Sequence, residues 1–151
     1  MKLKTIEDLD VSGKVVLVRC DFNVPIDEDG EISDSSRIER HAPTIITLVN
    51  KGAKVALLSH FGRPAGKVDE NLSLGFISES LTETFKAPEI VVIPDCIGDV
   101  TKQVLKDMPD GQIALLENVR FYEGEENNDD DFSKSLADIA DIYVNDAFSV
   151  C

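Results

Sequence analysis

The chain has 151 residues, of which 42% are hydrophobic and 29% charged, and its formal net charge is −14. This length supports one domain with a hydrophobic core, or one piece of a larger protein. The acidic balance disfavours nucleic acid and anionic membranes as partners, because both reward a basic surface. No apolar stretch approaches the roughly 18 residues that span a bilayer. The charged start lacks a signal-peptide pattern, and the three widely spaced cysteines favour a reducing cytoplasm.

Short apolar runs alternate with amphipathic patterns along the chain. In chain order, these patterns predict a strand at 14–20, a turn at Asp29-Gly30, a helix at 43–52, a strand at 54–59, a helix at 74–85, a strand at 89–94, a helix at 97–108, a strand at 112–117, a helix at 129–140 and a strand at 141–146. Strands separated by such helices imply right-handed crossovers. We therefore predict an α/β fold, with a doubly wound parallel sheet between two helix layers.

Apolar spacing also predicts which face of each later helix is buried. The expected buried stripes are Ile77, Leu81 and Phe85 in the second helix, Ile97, Val100, Val104 and Met108 in the third, and Phe132, Leu136, Ile139 and Ala140 in the fourth. Ser73 is expected to cap the second helix, and Gly52 to end the first.

Polar residues cluster where four of the predicted strands end. The clusters are Arg19, Asp21 and Asn23; His60 to Pro64; Glu117, Asn118 and Arg120; and Asn145 with Asp146. In open parallel sheets, ligands bind beyond the carboxyl ends of the strands. Arg37 lies in a further polar segment, and guanidinium groups suit carboxylate or phosphate recognition. The sequence thus predicts one cationic pocket for a small anionic metabolite.

Several of these residues also have a structural interpretation. Arg19 is as well explained by pairing with a neighbouring acid, and Asp21 and Asn23 by turn formation. We interpret His41 as structural, Arg40 as solvated, and the acidic run at 123–131 as a solvated loop leading into a helix. We interpret the cysteines, Cys20, Cys96 and Cys151, as small buried residues.

Several familiar site motifs are absent from the sequence. It contains no phosphate loop of the G-x-x-x-x-G-K-[ST] type and no G-x-G-x-x-G after the first strand. It also lacks the G-x-S-x-G elbow and any Cys/His set with zinc spacing. A nucleotide or metal site is therefore not predicted from these residues.

Taken in order, the clusters closely resemble those of the phosphoglycerate kinase family. The matching strings are "VLVRCDFNVP", "ISDSSRIERHAPTI", "ALLSHFGRP", "LLENVRFYEGEENND" and "YVNDAFSV". The resemblance covers essentially the whole chain. It implies the N-terminal of two Rossmann-like domains, the domain that binds 3-phosphoglycerate or 1,3-bisphosphoglycerate.

The resemblance also implies a role for particular residues. Asp21 and Asn23 would hold the hydroxyl and carboxyl end of the glycerate, with Phe22 between them. His60, Arg63 and Arg120 would surround the 3-phosphate, with Phe61 and Gly62 in the intervening loop. Arg37 would be the catalytic residue, lying beside the transferred phosphoryl group.

The family reaction, a step of glycolysis, moves a phosphoryl group between 1,3-bisphosphoglycerate and ADP to give 3-phosphoglycerate and ATP. By resemblance, Mg²⁺ and ATP or ADP bind mainly to a C-terminal nucleotide-binding domain. At Cys151 the chain stops where family members continue into a His-Arg-Ala-His segment. We therefore expect residues 1–151 to be a truncated substrate-binding domain, monomeric and without a cofactor of its own. Alone, it should bind 3-phosphoglycerate weakly and not turn over.

Three other classes of protein are alternatives to this assignment. A receiver-type signalling domain would need a lysine closing the last strand, which instead ends in Asn145-Asp146-Ala147. A dehydrogenase or sugar-phosphate enzyme fragment would need the missing glycine fingerprint. A non-catalytic anion-binding α/β module stays open as a description of this chain alone.

Overall fold

The structure, a computed structural model, describes residues 6–126 and 129–147. Its strands are β1 (Val15–Arg19), β2 (Lys54–Leu58), β3 (Ile90–Ile93), β4 (Ile113–Leu116) and β5 (Ile142–Asn145). Its helices are α1 (Ser36–Glu39), α2 (Ala42–Asn50), α3 (Ser78–Thr84), α4 (Asp99–Asp107), α5 (Glu123–Glu126) and α6 (Asp130–Asp138). Among the described residues, no helix is both long and apolar enough to cross a bilayer.

The strands form one parallel sheet in the order β3-β4-β2-β1-β5. In the centre of the sheet, Val16 of β1 lies opposite Val55 of β2 on one side and Ile142 of β5 on the other. Every predicted strand is present, with bounds that differ by at most one residue at either end. The predicted parallel α/β fold is confirmed.

Alternate residues of β1 face two separate hydrophobic clusters, one on each side of the sheet. Val16 and Val18 join the cluster that contains residues of α1, α2 and α3, whereas Val15 and Leu17 join the cluster that contains residues of α4 and α6. All five β1 residues are buried, which is why the strand is apolar without alternation. The expected three layers, helix, sheet and helix, are therefore present.

Most of the predicted helix signals are confirmed. Gly52 follows α2 with φ of +83°, a left-handed conformation that favours glycine. The pattern at 74–85 forms a 3₁₀ turn (Leu74–Ile77) followed by α3, and the Ser73 side chain accepts a hydrogen bond from the Gly75 amide. The expected stripes on α3 and α6 pack inward, with Phe85 at 4% and Phe132 at 7% exposure.

The predicted buried face of α4 is partly wrong. Val100 is 78% exposed and Val104 is 37% exposed, whereas Thr101 and Leu105 are buried. The helix begins only at Asp99, after Gly98 with φ of +100°. Ile97 therefore lies outside the helix. The prediction followed the apolar side chains of Val100 and Val104, whereas the buried face, one position further on, includes a threonine. The observed face runs through Thr101, Leu105 and the buried Met108.

The cysteines that the structure describes are small buried residues, as interpreted from the sequence. Cys20 and Cys96 are both fully buried and unpaired. Burial raises the pKa of the Cys96 thiol to about 12, and it also raises that of Cys20. Cys151 lies outside the described residues.

The corrected face of α4 predicts unequal effects for two truncations in one helix. Leu105→Ala should lower the free energy of unfolding by about 2–5 kcal/mol, because it leaves a cavity in the core. Val100→Ala should change it by less than about 0.5 kcal/mol, because the side chain is exposed. Urea denaturation of both variants checks this, and equal losses would contradict the assigned face.

Candidate functional site

The carboxyl ends of β4, β2, β1 and β5 are neighbours along one edge of the sheet. The segments that follow them, residues 19–23, 59–63, 117–120 and 145–147, are called the polar rim below. Because the strands are parallel, the pairing itself brings these four segments together. Arg19 lies opposite both Leu58 and Asn145, so β1, β2 and β5 end in register and their rim segments start side by side.

Four predicted site residues, Asp21, Asn23, Arg37 and Gly62, meet on one side of the rim. Nη1 of Arg37, carried by α1, donates to the carbonyl of Asn23 at 2.6 Å and lies 3.5 Å from Oδ1 of Asp21. Oδ1 of Asn23 accepts a hydrogen bond from the Gly62 amide at 2.9 Å. The segment after β1 is thereby tied both to α1 and to the loop after β2. The Arg37 side chain is still 44% exposed, so it can reach a ligand.

His60 is a buried, neutral imidazole at physiological pH. It is 6% exposed, and among the described residues Nδ1 of its ring has no hydrogen-bond partner. Burial, together with the Arg120 and Arg19 guanidinium groups, lowers the pKa of His60 to about 4. Buried polar atoms in native proteins are nearly always satisfied, so an orphaned ring nitrogen in a cationic cluster is consistent with a place for an anionic ligand.

Two arginines share one carboxylate beside this histidine. Arg19 Nη2 donates to Glu125 Oε1 at 2.9 Å, and Arg120 Nε donates to Glu125 Oε2 at 3.1 Å. The Arg19 and Glu125 side chains are only 9% and 13% exposed. These three groups sum to a positive charge, inside a protein whose net charge is −14. The group formed by Arg19, Arg120 and Glu125 is therefore locally cationic.

Glu125 is the site residue that sequence reasoning missed. It belongs to the acidic run at 123–131, which was predicted to be a solvated loop, and residues 127–128 of that run lie outside the described residues. Of the described part, Glu123 to Glu126 instead form the short helix α5, which places the Glu125 carboxylate between Arg19 and Arg120. The structural interpretation of Arg19, an ion pair with a nearby acid, is confirmed. Nothing in the run distinguishes Glu125 from the acids on either side of it.

Asn118 and Glu117 hold the rim together. Asn118 is fully buried, and its amide donates to the carbonyls of Phe61 at 2.7 Å and Leu72 at 2.9 Å. Its Oδ1 accepts from the Phe61 and Arg120 amides. Glu117 accepts from the Leu74 amide and the Ser73 hydroxyl. These polar groups therefore fix the loops that carry His60 and Arg120, and their hydrogen bonds are directed into the protein.

The loop after β2 requires a glycine at its turn. Gly62 has φ of +64°, and a Cβ atom there would lie 2.6 Å from Cδ2 of Leu72. Arg63, the next residue, is exposed, and within the described ranges it makes no hydrogen bond or ion pair. The turn thus presents an uncommitted guanidinium group at the rim.

The two predicted phenylalanines do not face the rim with their rings. Phe22 is fully buried in the core, and its amide donates to Oγ of Ser59 at 2.9 Å. Phe61 is 6% exposed and packs against Phe76 with ring centroids 5.1 Å apart. The Phe22 ring therefore packs in the core, and the substrate-binding role that the resemblance implies for this residue stays a prediction.

These features define a doubly wound α/β domain with a cationic cluster at the carboxyl edge of its sheet. The profile of the family described as phosphoglycerate kinase matches residues 6–151. The chain therefore belongs to the phosphoglycerate kinase family, as the sequence motifs indicated, and the receiver-type and dehydrogenase alternatives fall away.

Individual relatives agree with the family assignment. The chain is 53% identical over 151 residues to phosphoglycerate kinase of Trichodesmium erythraeum, with 98% of the chain and 37% of the relative covered. It is 54% identical over 147 residues to that of Rhizobium johnstonii, with 97% and 36% covered. It therefore spans little more than a third of these relatives' length.

Solved structures with the same fold bear the same name. The crystal structure of phosphoglycerate kinase from Pyrococcus horikoshii OT3 matches with a TM-score of 0.83 and 30% identity, over 97% of this chain and 37% of that one. The structure of phosphoglycerate kinase from Coxiella burnetii matches with a TM-score of 0.82 and 34% identity, over 95% and 35%.

The environment of His60 predicts an unusual titration. NMR spectra of its ring should show a pKa near 4, well below the ordinary value of 6.5. Arg120→Gln should move this pKa upward, because one of the positive charges that oppose protonation is removed. A midpoint near 6.5 in the unaltered chain would contradict the buried cationic environment.

The same shift sets the sign of a pH effect on stability. Above pH 6.5 the ring is neutral in both folded and unfolded chains, so it contributes no pH dependence. Between pH 6.5 and about 4 only the unfolded chain binds the proton, so the free energy of unfolding should fall as pH falls. His60→Asn should show a smaller fall over this window in denaturation measurements.

Proposed function

We propose that this chain is the substrate-binding domain of a two-domain phosphoglycerate kinase, and that it binds 3-phosphoglycerate and 1,3-bisphosphoglycerate. Family membership supports the reaction class. The observation that carries the proposal is the polar rim, where imidazole and guanidinium groups from separate strand ends adjoin the Asp21 to Asn23 segment. The full reaction requires the longer enzyme, since the chain spans 37% of a relative.

In this proposal His60, Arg63 and Arg120 bind the 3-phosphate. Guanidinium groups form charge-assisted, often bidentate hydrogen bonds with phosphate oxygens. His60 lies in the electrostatic range of Arg120 and Arg19, and a bound dianion would favour its protonated ring, in which both nitrogens donate.

Asp21 and Asn23 bind the other end of the glycerate. The Asp21 carboxylate accepts a hydrogen bond from the Asn23 amide at 3.2 Å, an arrangement that fixes the carboxylate over its own turn. It is an orienting acceptor for the substrate hydroxyl. No general base is needed, because the carboxylate of 3-phosphoglycerate is itself the group that attacks the phosphoryl group.

Arg37 is the catalytic residue of the proposal. Phosphoryl transfer asks the protein mainly for alignment and for stabilisation of charge on the moving group. A guanidinium group does this at any working pH, because it does not deprotonate. The hydrogen bond to the Asn23 carbonyl and the nearby Asp21 carboxylate hold Arg37 beside the glycerate segment.

Mg²⁺ and the nucleotide are assigned to the remaining part of the longer enzyme. Mg²⁺ takes oxygen ligands from carboxylates, waters and phosphates. Within the ranges that the structure describes, no group of three or more His, Cys, Asp or Glu residues is placed to hold a metal. We therefore derive no step through a metal for this chain. A cytoplasmic location and a monomeric state, without nucleic-acid or membrane partners, remain part of the proposal.

Arg63 offers a clean test of the phosphate site, because it is exposed and its removal costs no internal contact. Arg63→Ala should weaken 3-phosphoglycerate binding about 10-fold, as expected for the loss of one charge-assisted contact. Arg40→Ala, an exposed arginine at the end of α1, is the matched control and should leave binding unchanged. Titration followed by NMR suits the weak affinity expected of one domain, and equal affinities for both variants would refute the site.

The proposal that substrate binds to this chain and nucleotide to the rest of the longer enzyme predicts a second result. Calorimetry of this chain with MgATP should show no tight binding, and the coupled kinase assay should show no turnover. Adding the C-terminal region of a relative should restore measurable turnover, and Arg37→Ala should abolish it. Tight MgATP binding by this chain alone would contradict the assignment.

A further inference from the structure

His41 connects three elements of the fold through a chain of partly buried hydrogen bonds. It lies just before α2, is 4% exposed, and packs edge-on against Phe22 with ring centroids 5.4 Å apart. Its Nε2 lies 2.9 Å from the Asp21 amide nitrogen, and its Nδ1 lies 2.7 Å from Oδ2 of Asp146. The ring therefore bridges the segments that follow β1 and β5.

The two contacts together fix the tautomer of the ring. A backbone N–H can only donate, so Nε2 must be the unprotonated acceptor of the Asp21 amide. Nδ1 then carries the proton and donates it to the Asp146 carboxylate. The other oxygen of that carboxylate accepts from the Thr44 hydroxyl at 3.1 Å, and the Asp146 amide donates to the Arg19 carbonyl at 2.9 Å. Asp146 is thus anchored to both α2 and β1.

The backbone amide of Asp21 is hydrogen-bonded to this ring and not to the sheet. The Cys20 amide still donates to the Leu58 carbonyl, which continues the pairing of β1 with β2. At Asp21 the chain leaves that ladder, and the acceptor for its amide is a side chain, His41. The next amide, that of Phe22, is likewise held by the Ser59 hydroxyl. Two side chains therefore accept the hydrogen bonds of the Asp21 and Phe22 amides, at the start of the turn that Arg37 and Gly62 also hold.

We infer that His41 is a positioning residue. Its hydrogen bond to Asp146 fixes the ring, and the ring in turn holds the Asp21 backbone. His41 thereby orients the Asp21 carboxylate toward the substrate hydroxyl. This inference rests on the proposed function, in which Asp21 contacts the glycerate. His41 itself lies within the protein and acts through Asp21. Without the ring, the Asp21 amide loses its acceptor and the Asp146 carboxylate loses a donor. The backbone conformation at Asp21 is then less restricted.

The hydrogen bond itself can be measured without any ligand. In ¹⁵N-labelled chain, a scalar coupling across the Asp21 N–H···Nε2 hydrogen bond of His41 should be detected. The ¹⁵N shifts of the ring should identify Nδ1 as the protonated nitrogen. Absence of the coupling, or a ring protonated at Nε2, would overturn the proposed hydrogen bond between the Asp21 amide and His41.

The positioning role is tested by binding of 3-phosphoglycerate to a set of four chains. His41→Ala should weaken binding about 10-fold, a loss typical of disrupting one hydrogen-bonded contact in a site. In a chain that already carries Asp21→Asn, adding His41→Ala should weaken binding by less than about 2-fold, because residues that act as one unit are not additive. Thr47→Val, six residues after His41 and within α2, is the control for general effects on the helix.

The outcomes separate this inference from the proposed function. If the unaltered chain does not bind 3-phosphoglycerate, the proposed function fails, and the positioning role fails with it. If the unaltered chain binds but His41→Ala binds equally well, only the positioning role is overturned. Equal losses from His41→Ala with and without Asp21→Asn would show that His41 acts on the structure generally and would also overturn it. Should His41→Ala not fold, His41→Phe, which fills the same space but cannot accept the hydrogen bond of the Asp21 amide, takes its place in the same cycle.

Discussion

The parallel pairing of β1 with both β2 and β5 is the constraint on which the rest of the site depends. Because β4 also pairs in parallel with β2, four strands end at the same edge, and the residues that follow them become neighbours. Side chains separated by about a hundred positions, such as Arg19 and Glu125, come within hydrogen-bonding distance for this reason. If one of these strands ran in the opposite direction, its polar residues would lie at the far edge of the sheet, and the rim would not form.

Once the strand ends are together, the protein must balance the charges that it buries there. Removing the Arg19 guanidinium group from water is costly, and the Glu125 carboxylate offsets that cost by pairing with it. The compensation is incomplete, since Arg120 shares the same carboxylate and the nearby His60 is held neutral. Nε of Arg19 and Nδ1 of His60 are buried without partners among the described residues. A strongly acidic chain thus maintains a small region that favours an anion, which is the property that the proposed function requires.

The sheet could be predicted from the sequence because strands buried on both faces leave an uninterrupted apolar run, as Val15 to Arg19 shows. The face of α4 could not be predicted as well, because apolar spacing favoured Val100 and Val104, whereas the buried face includes the polar residue Thr101. The rim residues were found because they follow strands, and their roles came from the family resemblance. Glu125 was missed because nothing in the acidic run singles it out and its partner Arg19 lies 106 residues away in sequence. His41 was interpreted as structural, and no local pattern records its contact with Asp146 at a separation of 105 residues.

The proposed function requires side chains from separate strand ends to converge on one anionic substrate. A crystal structure of this chain with 3-phosphoglycerate would show whether they do. We expect the phosphate group within hydrogen-bonding distance of Arg63 and Arg120 and next to His60, with the glycerate hydroxyl at Asp21. A phosphate bound elsewhere on the chain, or contacts confined to a single strand end, would contradict it.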